Sequence, residues 1–116
     1  MCHVLIIEDE WAIAEHIAWL AEDGGATSVR IAATERDAVE AAQEEPPAVI
    51  LSDVRLLEGT GPGAVAAIRR AQGAVPVIFI TGTPEEVEPC DAPTVVLGKP
   101  VSGAAVIQQL RSLARL

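Results

Sequence analysis

Residues 5–11 read LIIEDEW, an apolar run that steps straight into two adjacent acids. A buried strand ending this way holds the Glu8 and Asp9 carboxylates at its mouth, where they repel each other. Two unit charges about 4 Å apart cost roughly 4 kcal/mol at an effective dielectric near 20. A divalent cation between them would turn that cost into a binding site, so the reading of this stretch depends on what else the fold brings to the same place.

Working outward, four more runs have the same apolar character: SVRIA (28–32), AVILS (48–52), VIFIT (77–81) and TVVLG (94–98), with HVLII (3–7) as the first. Each is bounded by polar, Gly or Pro residues, as strands are. Between them Glu10 to Glu22, Glu35 to Glu44 and Gly63 to Ala71 have helical composition, and Ser102 to Ala114 sets Val106, Ile107, Leu110 and Leu113 on one face. Near-continuous apolar strands are covered on both faces, so the βα alternation predicts a parallel α/β sheet with helices on both sides and right-handed crossovers. The stretch TGTPEEVEPCDAP (81–93) should carry the fourth helix. Thr83, Pro84 and Glu86 suit a helix start, but Pro89, Pro93 and the short span to Lys99 predict one that is short or irregular.

In open parallel sheets the functional crevice lies beyond the carboxyl ends of the strands. Strand one ends at Glu8-Asp9, strand three at Ser52-Asp53, strand four at Thr81-Gly82 and strand five at Lys99-Pro100. Each has a plain reading alone: acids opening a helix, Asp53 in a turn, Thr81 as a β-branched strand residue, Lys99 as a solvated charge. Their joint placement at four strand ends favours one acidic, cation-binding site facing an ammonium and a hydroxyl.

Composition narrows the partners. A formal charge of -9 repels phosphate backbones and anionic lipid, so neither direct nucleic-acid binding nor membrane binding is expected. With 3% aromatic residues against 50% hydrophobic, the core must come from Ala, Val, Ile and Leu, with Trp11, Trp19 and Phe79 as its large rings. No apolar run approaches the roughly 20 residues that span a bilayer. Cys2 and Cys90 lack metal-site or redox spacing, and a reducing, cytoplasmic setting without a disulfide is the expectation. At 116 residues the chain is expected to be one domain over 1–116.

The residue set resembles the receiver domain of two-component response regulators, of the stand-alone type, over essentially the whole chain. That family carries an acid pair after the first strand, an aspartate after the third, Thr or Ser after the fourth and Lys-Pro after the fifth. Glu8-Asp9, Asp53, Thr81 and Lys99-Pro100 stand in those places. The resemblance implies a flavodoxin-like, doubly wound (βα)5 fold with strand order 2-1-3-4-5. It also implies Asp53 as the phosphorylated residue, Mg2+ held by Asp9, Asp53 and the backbone carbonyl of Arg55, and Glu8 acting through water. Thr81 and Lys99 would contact the phosphoryl group, and Pro100 would follow a cis peptide bond. A sensor histidine kinase or histidine phosphotransfer protein would be the donor, and an unknown downstream protein the receiver of the signal. The domain would assist its own phosphorylation without being an enzyme in the usual sense.

Some residues depart from the family pattern. Val96 stands where many receivers carry a Tyr or Phe switch, and Val101 where Phe often follows the Lys-Pro pair. Arg55, two positions after Asp53, either screens the phosphoryl group from attacking water or pairs with Glu58 as a solvated surface residue, the second being the expectation. The alternative function is a pseudo-receiver that binds proteins without the chemistry. A flavodoxin would need a phosphate loop where Glu8 and Asp9 stand, and a dehalogenase-type phosphatase would need an acid at Arg55.

Overall fold

The computed structural model describes residues 2–82, 84 and 94–116. Its elements run β1 (His3–Ile7), α1 (Trp11–Asp23), β2 (Ser28–Ala32), α2 (Glu35–Glu44), β3 (Val49–Ser52), α3 (Gly61–Gln72), β4 (Val77–Thr81), β5 (Thr94–Gly98) and α4 (Gly103–Ala114). The five strands form one parallel sheet in the order β2-β1-β3-β4-β5, so the chain starts in the middle and reverses its winding direction between β1 and β3. The expected fold class and strand order are those observed. The expected short fourth helix falls on residues 83 and 85–93, outside the described residues, as does Cys90.

Alternation along the strands divides the core into two layers. Leu5 and Ile7 of β1, with Ile50, Val77 and Phe79, pack against Ala38, Ala41 and Ala42 of α2 and Ala64, Val65 and Ile68 of α3. Val4 and Ile6, with Val49, Leu51, Ile78 and Ile80, face Ala14, Ile17, Leu20 and Ala21 of α1 and Val106 and Leu110 of α4. The many alanines let the helix backbones lie close to the sheet, and interiors packed this closely tolerate little change of volume. β3 and β4 are buried at every position, whereas the edge strands β2 and β5 are partly exposed.

Three details differ from the sequence reading. Trp11 and Trp19 are not core rings: they are 65% and 63% exposed, whereas α1 buries Ala14, Ile17, Leu20 and Ala21. Helix α3 begins at Gly61, two residues before the expected Gly63, because the Thr60 hydroxyl accepts a hydrogen bond from the Gly63 N–H at 3.0 Å and caps the helix there. Glu10 and Ser102 stand at the N-cap positions of α1 and α4 instead of inside the helices; the Ser102 side chain accepts from the Ala105 N–H, and that of Glu10 makes no capping bond. Among the described residues, no helix is long and apolar enough to cross a membrane.

Candidate functional site

The ladder places the site. The first residue beyond each of three strands still donates its backbone N–H to the neighbouring strand: Glu8 to the Ala32 carbonyl at 3.0 Å, Asp53 to Ile7 at 2.9 Å and Lys99 to Thr81 at 2.8 Å. These side chains therefore leave the sheet from fixed points at its carboxyl edge, on both sides of the place where the winding reverses.

Ligand oxygens of Glu8, Asp9 and Asp53 all lie within 4.8 Å of one another. The Asp53 carboxylate is split in its contacts: Oδ1 accepts from the Val54 N–H at 2.7 Å, while Oδ2 faces the Lys99 ammonium at 3.5 Å. The same ammonium lies 3.7 Å from Glu8 Oε1, within ion-pair range but beyond hydrogen-bond distance. Asp9 Oδ2 accepts from the Leu57 N–H at 2.8 Å, which ties the β3–α3 loop to the end of β1. The Lys99–Pro100 peptide bond is cis.

Glu8 is the anomalous member. Only 2% of it is exposed, its Oε2 accepts from the Glu10 N–H at 3.2 Å, and its Oε1 is buried with no hydrogen-bond partner. Burial pushes its carboxyl up to about 7, and the nearby Asp53 charge pushes the same way; the Glu10 N–H and the Lys99 ammonium oppose the shift. A buried acceptor left unpaired beside two other carboxylates suits a hard divalent cation, which takes oxygen ligands and would relieve both the desolvation and the repulsion. The residues present therefore fit Mg2+.

Thr81 and Arg55 are fixed through their backbones on the neighbouring segments. Thr81 is buried at the end of β4, in register with Gly98 and bonded through its carbonyl to Lys99. Arg55 is exposed, and its backbone forms an antiparallel bridge with Thr60 across the loop.

The sequence reading missed the residues that shape this loop. A Cβ on Gly61 would collide with the Asp53 carbonyl and the Ser52 hydroxyl, so the helix start can approach the acid only without a side chain there. Ser52 Oγ donates to that same carbonyl at 2.7 Å, and the Gly61 N–H donates to the Val54 carbonyl at 2.9 Å. The glycines of EGTGPG (58–63) were the available signal.

Comparison with known proteins agrees with this architecture. A family model described as the response regulator receiver domain matches residues 4–111. The phyllosphere-induced regulator PhyR of Methylorubrum extorquens is 42% identical over 84 residues, which make up 71% of this chain and 31% of that protein. The solution structure of the PhyR response regulator REC domain of Erythrobacter litoralis matches with a TM-score of 0.84 at 34% identity, covering 99% of this chain and 91% of the other. The crystal structure of the anti-anti-sigma factor PhyR from Bartonella quintana matches with a TM-score of 0.81 at 35% identity, covering 98% of this chain and 47% of the other. The chain spans about a third of the first of these proteins and about half of the last.

Proposed function

The chain belongs to the response regulator receiver family, and on that premise we propose that it is a signalling phosphoacceptor. Asp53 takes a phosphoryl group from a phosphohistidine on a sensor histidine kinase or a histidine phosphotransfer protein. The observation that carries the reading is the meeting of three carboxylates within 4.8 Å, two of them within ion-pair range of one lysine ammonium.

The chemistry follows from the division of labour at Asp53. Oδ1 is held by the Val54 N–H, which leaves Oδ2, on the Lys99 side, to attack phosphorus. A P–O bond forms as the P–N bond to the donor imidazole breaks, and the electron pair of that bond returns to the ring nitrogen. Lys99 exchanges its ion pair with Asp53 for one with the phosphoryl oxygens, and the Thr81 hydroxyl donates to another of them. Asp9, Asp53 and the Arg55 carbonyl would hold Mg2+, with Glu8 acting through water, and the ion would supply neutralisation of the charge that the phosphoryl group brings to an acidic pocket. The protein's contribution is positioning and electrostatics, as phosphoryl transfer generally requires.

Output runs through a protein contact biased by the Thr81–Lys99 side of the site. The likeness to PhyR proteins, one of them an anti-anti-sigma factor, supports a protein-interaction switch of this kind. Intact mass spectrometry after incubation with acetyl phosphate and Mg2+ tests the reading. One phosphoryl group is expected on the native protein, none on Asp53→Asn, and none when chelator removes the metal. Labelling that survives either change overturns the assignment, and native protein that takes no label under any condition is a binding module of the same fold.

A further inference from the structure

Helix α3 starts with half of a capping box. In a full box the N-cap hydroxyl accepts from the N–H three residues on, and a Glu or Gln at that third position reaches back to the N-cap N–H. Here Thr60 makes the first bond, to the Gly63 N–H, but Gly63 has no side chain to return the second. The Thr60 N–H is satisfied from elsewhere: it donates to Glu35 Oε1 at 2.9 Å, from the first turn of α2. A Cβ on Gly63 would stand 2.5 Å from that same oxygen, and a Cβ on Gly59, whose φ is +82°, would collide with the Glu35 Cβ. The two glycines thus clear the space that the Glu35 carboxylate fills. Its own backbone N–H makes a second tie, to the Glu58 carbonyl at 3.1 Å.

This clasp closes on the loop that carries the phosphoacceptor. Thr60 bridges to Arg55, Gly61 bonds to Val54, and between them the Leu57 N–H holds Asp9. We infer that Glu35 is a positioning residue for the site: its carboxylate completes the α3 cap from a different helix and so holds the β3–α3 loop in the conformation that cation and phosphoryl binding require. The inference rests on the phosphoacceptor reading above. It also assigns a task to the first turn of α2.

Mg2+ titration at a temperature where every variant is folded by circular dichroism, followed by amide NMR, tests it. Glu35→Ala is expected to bind Mg2+ about tenfold more weakly, at the low end of the cost of removing outer-shell partners of a metal. Glu35→Gln, which keeps an acceptor oxygen, should stay within about twofold of the native protein. In the metal-free proteins, hydrogen exchange at the Thr60 amide should be slow in the native protein and in Glu35→Gln, and fast in Glu35→Ala. Native affinity in Glu35→Ala overturns the inference, and so does equal weakening in Ala and Gln, since the effect would then be one of charge. If Glu35→Ala fails to fold, Glu35→Asp takes its place, with the carboxylate withdrawn by one methylene and a loss expected between the other two. A native protein that neither binds Mg2+ nor takes label overturns the functional reading itself, and is recognised by its failure before any variant is compared.

Discussion

The β3–α3 loop, which carries Asp53, and the β5–α4 junction, which carries Lys99, meet at the Asp53 carboxylate, and they are fastened differently. The first is tied at Leu57, Glu58, Thr60 and Gly61 by hydrogen bonds of 2.8–3.1 Å to Asp9, Glu35 and Val54. The second hangs from β5, a partly exposed edge strand, by the backbone bond from Lys99 to Thr81, and it reaches the acids through the Lys99 ammonium at 3.5 and 3.7 Å. Charge-assisted hydrogen bonds in place run nearer 2.7–2.9 Å. The acidic half is therefore closely fastened, and the basic half has slack to take up. Under the proposed function the site would hold a cation and answer to a phosphoryl group, and the two halves would serve those two tasks.

The largest test of that contrast is mechanical. Ile50→Ala, in the buried strand β3, should cost about 2–5 kcal/mol by chemical denaturation, whereas Val96→Ala on β5, where the residue is 36% exposed, should cost under about 1 kcal/mol. Comparable losses would show the β5 edge to be as rigid as the centre.

A smaller effect comes from Glu8. Its folded carboxyl titrates near 7 against an ordinary 4.5, so the metal-free folded state holds more protons than the unfolded chain between those values. Stability without metal should therefore fall as pH rises from about 4.5 to about 7 and level off above. Mg2+ affinity should move the other way, weakening by up to about tenfold per pH unit on going below 7. Denaturation and titration of Glu8→Gln over the same range should show neither slope; slopes that persist would assign the titration to another group.

The smallest effect on metal affinity is expected at Lys99. Lys99→Ala should alter it by no more than about threefold, since an exposed ammonium with long contacts repels the cation and organises the acids only weakly. The same variant should lose the amide shifts that phosphorylation spreads to β5 and α4. Shift patterns equal to those of the native protein would place the signal's exit elsewhere.

What could be read from the sequence was whatever depends on short-range pattern. β1, β3 and β4 are legible because a strand covered on both faces must be apolar throughout, and Glu8, Asp9, Asp53 and Lys99 are legible because strand ends in a parallel sheet share one edge. The tryptophans were misplaced because an apolar side chain does not declare which side of α1 it occupies. The start of α3 was misplaced because Gly61-Pro62-Gly63 has the composition of a loop, and only the cap from Thr60 makes it helix. Glu35 was beyond reach altogether: its partner lies 25 residues away, and nothing local distinguishes it from the other acids of α2.

Gly61 offers a caution about how such a protein looks from the outside. It supplies no ligand, proton or charge, yet any side chain there would have to displace the peptide that carries Asp53. A saturation screen for signalling would score Gly61 alongside the proposed phosphoacceptor, and the natural conclusion would be that it takes part in the reaction. Its contribution is an empty volume about the size of a methyl group, so intolerance to substitution in this loop maps the space around the chemistry as faithfully as the chemistry itself.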